Sequence, residues 1–285
     1  MVPSRLVLLG HPVAHSLSPR FQQAALDAAG LAVRYEALDV PPTTLAATLA
    51  ALAGERAGGN VTIPHKHAVA DACHARSPLA ERVGAVNAFR HDDAGRLIGH
   101  NTDVAGARAA IATVLSADEP PARVVVLGAG GAAAAVLVAL EQLDAREVVV
   151  AARTGSTAEA VVAHVGSRAR VMPFDAEAPT ADCAAALACA DLVINATSIG
   201  LRDDAMPASP AALAPRAAVL DLVYRPGETA WVRAARAAGH RAEDGLRMLV
   251  EQGAEAFAWW FGAAPDRDAM WRALEPRDPV RGPTL

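Results

Sequence analysis

The chain has 285 residues, 53% hydrophobic and 20% charged, with a formal net charge of −5. That balance describes one large or two ordinary globular domains. The absence of a basic run, with aromatic residues at only 4%, excludes nucleic acid as a partner. Three cysteines (Cys73, Cys183, Cys189) at unrelated spacings read as free thiols in a reducing compartment. Cys183 and Cys189, set in Ala-rich sequence, are expected as small core residues. No uncharged apolar run reaches the length of a membrane span, and the first strand is too short for a secretory signal. The expectation is a soluble cytoplasmic protein, monomer or homodimer, with a small-molecule substrate.

Short β-rich runs alternate with Ala-rich helical stretches, which predicts an α/β fold with mainly parallel strands. The first third predicts strands at Leu6–Leu9, Val33–Leu38 and Gly59–Ile63, with helices at Pro19–Ala29 and Thr43–Leu52. A hairpin pairs Val86–Arg90 with Leu97–Gly99 around the turn Asp92-Asp-Ala-Gly95. A long helix follows from Val104 to Leu115, and Asp118-Glu-Pro-Pro121 punctuates the chain. A new βαβ unit then begins, with strands at Arg123–Leu127, Glu147–Ala151, Leu192–Asn195 and Val219–Leu222. Helices at Leu246–Phe261 and Asp266–Leu274 close the chain, and the last ten residues read as frayed.

The run Val124-Val-Val-Leu-Gly128-Ala129-Gly130-Gly131-Ala132-Ala133 is a strand entering a glycine turn and an apolar helix. Gly128 permits the tight turn, Gly130 lets the backbone approach a pyrophosphate, and Ala133 takes the third small position against the sheet. The helix N-terminus offers its unpaired N–H groups to the anion. About twenty residues on, an NAD site carries Asp or Glu, but this chain has Ala152, Arg153 and Thr154. An arginine fork aided by the Thr154 and Ser156 hydroxyls suits the 2′-phosphate of NADP; the alternative is a solvated arginine.

Lys66 is the only lysine, the other 25 of the 26 fixed cations being arginine. A desolvated Lys can lose and regain a proton as Arg cannot, which suits acid–base chemistry; the alternative is compositional accident. Asp103, just after another strand end, could pair with it or serve as a helix N-cap. Ser16 and Ser18 could bind a carboxylate at a helix start, although locally Ser18 before Pro19 reads as an ordinary N-cap. His65 and His67 flank Lys66 without the cluster a zinc site needs. At least one of Trp259 and Trp260 is expected to be buried, and Glu251 could lie on a solvated face.

These fragments occur in a family's order. Gly10-x-Pro12-x-x-His15-Ser16-x-Ser18-Pro19, Asn60-Val-Thr62-x-Pro64-x-Lys66, Gly84-Ala-Val-Asn87, Asn101-Thr-Asp103 and Gly128-Ala-Gly-Gly131 come first. Asn195-Ala-Thr197-Ser198, Asp221-Leu-Val-Tyr224 and Asp244-Gly245-Leu-x-Met248-Leu-Val-x-Gln252 follow. Together they closely resemble the shikimate dehydrogenase family over nearly the whole chain. The resemblance implies NADPH-dependent, reversible reduction of 3-dehydroshikimate to shikimate in aromatic amino-acid biosynthesis. It implies that Lys66 and Asp103 sit at the reacting oxygen, with Lys66 as acid–base group. Ser16, Ser18 and Tyr224 would bind the substrate carboxylate, and Thr62, Asn87 and Gln252 its ring hydroxyls. Thr197, Ser198, Gly245 and Met248 would join the glycine run and Ala152–Thr154 on the cofactor. Residues 1–103 and 240–285 would form a substrate-binding domain, and 104–239 a Rossmann domain. Gln22-Gln23 stands where the family often has His-Asn, and Thr157 where a second arginine is common. The alternatives are a quinate/shikimate paralogue using NAD or both cofactors, and a dinucleotide-binding sensor without catalysis.

Overall fold

A computed structural model describes residues 2–115 and 121–275. Of the sequence expectations, most of the Asp118–Pro121 linker and the last ten residues lie outside that range. The chain runs β1 (Leu6–Gly10), α1 (Ser18–Ala28), β2 (Tyr35–Asp39), α2 (Leu45–Gly54), β3 (Gly58–Val61), α3 (Lys66–Ala72), β4 (Ala75–Arg76) and α4 (Pro78–Val83). It continues through β5 (Ala88–His91), β6 (Leu97–His100), α5 (Asp103–Val114), β7 (Arg123–Leu127), α6 (Gly131–Gln142), β8 (Glu147–Ala152) and α7 (Gly155–His164). The rest is β9 (Arg170–Pro173), α8 (Ala181–Cys189), β10 (Leu192–Asn195), β11 (Ala218–Asp221), α9 (Ala230–Ala237), β12 (Ala242–Glu243), α10 (Leu246–Phe261) and α11 (Arg267–Arg272).

Two six-stranded sheets result. The first has the order β2-β1-β3-β5-β6-β4. Its β1 is parallel to β2 and β3, while the hairpin strands β5 and β6 run antiparallel to each other. All five residues of β1 are buried, as a strand covered on both faces requires. The second sheet, β12-β11-β10-β7-β8-β9, is wholly parallel. Its order reverses between β7 and β10, the crevice where doubly wound folds bind ligands.

Two helices cross between the sheets. α5 shares a core with β7, β10 and α6, and α10 shares one with β1 and α1. They touch each other at Gly106, where a β-carbon would come within 2.6 Å of the Met248 carbonyl oxygen and 2.9 Å of the Gln252 β-carbon. Only a residue without a side chain allows that approach. It brings the start of α5, with Asp103, beside Gln252 of α10. Trp260 is buried and donates its indole N–H to the Phe89 carbonyl at 3.1 Å, tying α10 to β5.

Several expectations need correction. β4, β9 and β12 are not among the expected strands; they are two to four residues long and too short for a period to register. The pairing of β12 with β11 also carries the second sheet past the expected boundary at 239/240. The first hairpin strand starts at Ala88, not Val86, because the Val86 N–H bonds to the Lys66 carbonyl at 3.0 Å instead of to a strand. Cys183 is buried but Cys189 is exposed: Cys183 and Leu187, four apart, share the inward face of α8, and Cys189 is turned away from it. Glu251 is not a solvated face; it pairs with Arg247 at 3.2 Å and Arg267 at 2.9 Å. No helix among the described residues is long and apolar enough to cross a membrane.

His100 links the hairpin to α10. Its ring stacks on Trp259 at 5.2 Å between centroids, and Nδ1 lies 2.6 Å from the Ser77 hydroxyl. Burial, then the nearby Arg90 charge, pushes its pKa down from 6.5 to about 4. The native state therefore favours neutral His100, whereas the unfolded chain takes up the proton first. Stability from this residue is full above pH 6.5 and drains away as pH falls toward 4. Urea unfolding at pH 7 and pH 5 should show the native chain losing more stability than His100→Gln; equal losses would contradict the assignment.

Candidate active site

β3 and β6 end close together, and each hands its next helix a charged first residue, Lys66 on α3 and Asp103 on α5. Lys66 Nζ donates to Asp103 Oδ2 at 2.6 Å, with side-chain exposures of 21% and 7%. Asp103 is thus no N-cap; Thr102 holds that position. Nor is Lys66 a stray surface cation.

A carboxylate this buried needs more than one partner. Asn87 supplies the next, donating Nδ2–H to Asp103 Oδ1 at 2.8 Å. Its orientation is fixed because Asn87 Oδ1 accepts the Thr102 N–H at 2.7 Å. The same amide reaches Gln252 Oε1 at 3.1 Å, and Gln252 Nε2 donates to the Leu249 carbonyl at 2.7 Å. Behind them Tyr35 donates its hydroxyl to Asn60 Oδ1 at 2.7 Å, and Asn60 donates to the Asn87 carbonyl at 3.0 Å. Tyr35 and Thr102 escaped the sequence reading, since nothing in a buried strand start or a helix flank marks a supporting hydroxyl.

Lys66, Asp103, Asn87, Gln252 and Asn60 face a cavity of about 180 Å³, well under the roughly 300 Å³ at which drug-sized pockets begin. It suits a single-ring molecule. Ser16, Ser18, Thr62, Lys66, Asn87 and Asp103 line it from the first sheet's side, facing Tyr224, Gly245, Met248 and Gln252. Ser18 corrects its expected role as an N-cap. The helix begins one residue early, Leu17 takes the cap position, and the Ser16 hydroxyl accepts the Ser18 N–H at 3.2 Å. Burial raises the Tyr224 phenol above its ordinary pKa, so it stays a neutral donor. The polar wall is therefore hydroxyls and amides around one amine–carboxylate pair, able to grip a small polyhydroxylated acid and pass a proton to one oxygen.

A second cavity, of about 700 Å³, opens at the order reversal of the parallel sheet and is lined by Gly128–Gly130, Ala152–Thr154, Thr197 and Ser198. Gly128 has φ +103, and a β-carbon there would lie 2.9 Å from the Ala196 carbonyl oxygen. A β-carbon on Gly130 would meet nothing within 4 Å. The fold leaves that space free at the start of α6, which has no side-chain cap on its N–H groups. A glycine that packing does not require, beside uncapped donors, fits a bound pyrophosphate.

Other cofactor candidates distribute unevenly. Arg153 is exposed at the rim of this cavity and makes no ion pair or hydrogen bond among the described residues. Thr157 lines the wall where Ser156 was expected. Ala132 belongs to the smaller cavity together with Gly245 and Met248. Ala133 is fully buried, so its part is packing α6 onto the sheet. Asn195 shapes the Thr197 loop, accepting the Thr197 N–H at 3.0 Å and hydroxyl at 2.6 Å. Its own amide donates to Asp221 at 2.8 Å, and Thr229 donates to the other Asp221 oxygen at 2.8 Å. His65 is buried against the Val40 carbonyl, and His67 lies by the Gly84 carbonyl.

Comparison with known proteins matches this division of labour. Residues 8–89 fit the family model of the shikimate dehydrogenase substrate binding domain, and 245–275 that of the shikimate 5′-dehydrogenase C-terminal domain. Residues 124–248 fit the saccharopine dehydrogenase NADP binding domain. A protein of Methylocella silvestris named shikimate dehydrogenase (NADP(+)) is 43% identical over 281 residues, 96% of each chain. The chain belongs to the shikimate dehydrogenase family. A second shikimate dehydrogenase (NADP(+)), from Rubrobacter xylanophilus, is also 43% identical, over 94% of each chain. Among solved structures, shikimate 5-dehydrogenase of Thermus thermophilus in complex with NADP(H) and shikimate superposes with a TM-score of 0.83. It is 38% identical and the match covers 96% of this chain and 98% of that one. The family's two-domain α/β architecture with a Rossmann-type half is the one described above.

Proposed function

We propose that this chain is an NADP-dependent shikimate dehydrogenase that reversibly reduces 3-dehydroshikimate to shikimate, an oxidoreductase acting on a CH–OH group. The observation that carries the reading is the Lys66–Asp103 pair at 2.6 Å in a small hydroxyl- and amide-lined cavity. That cavity shares α6 with the dinucleotide crevice through Ala132. NADPH, when bound, supplies the hydride. Lys66 donates a proton from Nζ to the carbonyl oxygen as it gains charge, and takes the proton back in the oxidation. Asp103 holds the amine on target, Asn87 holds Asp103, and Thr62, Asn87 and Gln252 hold the ring hydroxyls. Ser16, Ser18 and Tyr224 bind the substrate carboxylate through their hydroxyls.

The division of the chain follows from the same reading. Residues up to 103, with α10 and α11, form the substrate-binding part, and the second sheet with α5 forms the Rossmann part. Cytoplasmic location fits the three free cysteines.

Gly128–Gly131 and the α6 N–H groups would hold the pyrophosphate, Thr197 and Ser198 the opposite wall, and Arg153 with Thr154 the 2′-phosphate. Arg153→Ala is expected to weaken NADPH binding roughly tenfold, the scale of a charge-assisted hydrogen bond, and to leave NADH binding unchanged. Titration of both cofactors checks this, and equal weakening would remove Arg153 from the 2′-phosphate. The proposal as a whole is tested by NADPH oxidation with 3-dehydroshikimate. Turnover that depends on the substrate is expected, and none would overturn it.

A further inference from the structure

We propose that His67 is a cofactor ligand reaching across the cleft, donating from Nε2 to the pyrophosphate of the dinucleotide. The inference rests on the NADP reading above and adds a residue from the opposite half of the molecule. His67 is the second residue of α3, next to Lys66. Its Nδ1 lies 2.8 Å from the Gly84 carbonyl. A carbonyl only accepts, so Nδ1 carries a proton and the ring is pinned with Nε2 pointing away from Gly84. Nε2 lies 3.8 Å from where a β-carbon on Gly131 would be. It therefore stands over the first residue of α6, where the uncapped N–H groups and helix dipole favour an anion.

A pyrophosphate held by the α6 N–H groups would leave room for a further donor from the His67 side. A ring carrying a proton on each nitrogen would donate Nδ1–H to Gly84 and Nε2–H to phosphate at once. The contact gives the cofactor a hold on α3, whose first residue is Lys66. Binding the dinucleotide then steadies the proton donor as well as supplying the hydride. Packing alone does not account for the ring, which is exposed.

The test is binding, read by fluorescence titration of the full chain with two probes: NADPH, and adenosine 2′-phosphate, which has no pyrophosphate. His67→Ala is expected to raise the Kd for NADPH roughly tenfold and leave that for adenosine 2′-phosphate unchanged. His67→Asn keeps a donor for Gly84 but has nothing in place of Nε2, and is expected to match the alanine variant. An unchanged NADPH Kd in His67→Ala would overturn the proposal. So would equal weakening of both probes, or recovery of native NADPH affinity in His67→Asn, since either would mean that the Gly84 contact alone matters. Absence of NADPH binding by the native chain would instead overturn the cofactor reading beneath it.

Discussion

Lys66→Ala is expected to lower kcat for shikimate oxidation by about 10²–10⁴-fold, the range spanned by a positioned general acid–base group. The Kd for NADPH should hardly change, because Lys66 lines the smaller cavity and not the glycine crevice. The effect has two sources. The proton carrier is gone, and Asp103, 7% exposed, loses its cation. The second source costs folding stability as well, since removing one partner of a buried pair leaves a charge uncompensated. Lys66→Arg separates the two: it keeps a cation for Asp103 but holds its proton at every working pH. It should regain thermal stability without regaining turnover. Near-native kcat in either variant, measured at saturating substrate, would refute the role of Lys66.

Gly106→Val is expected to lower Tm and raise the KM for shikimate together. The new β-carbon would sit 2.6 Å from the Met248 carbonyl oxygen. Backbone cannot turn aside as a flexible side chain can, so α5 and α10 must part. Overpacking of this kind costs about 1–3 kcal/mol. The helices that separate carry Asp103 on one side and Met248 and Gln252 on the other, all of which line the small cavity. Lost stability therefore reaches the site. A thermal melt and a substrate titration of the same variant check both halves. Native values for either would show that the crossing tolerates a side chain.

Sequence legibility follows signal strength. β7, the glycine turn and α10 stand out because long apolar runs, glycine spacing and a 3.6-residue period are local. α10 spans Leu246–Phe261 as expected. Two-residue strands such as β4 and β12 exist only because a neighbour pairs with them, so no local pattern announces them. The site divides in the same way. The solitary Lys66 draws notice by composition, but its meeting with Asp103, 37 positions away, depends on two strands ending together. Ser18 shows the opposite error: local cap chemistry was plausible, and a one-residue shift in the helix start overruled it. His67 drew notice only as a neighbour of Lys66, because Gly131, the residue it approaches, opens α6 more than sixty positions on.

The most direct test is oxidation of shikimate and quinate by the native chain, each with NADP⁺ and with NAD⁺. The highest kcat/KM is expected for shikimate with NADP⁺. Turnover confined to quinate with NAD⁺ would contradict it.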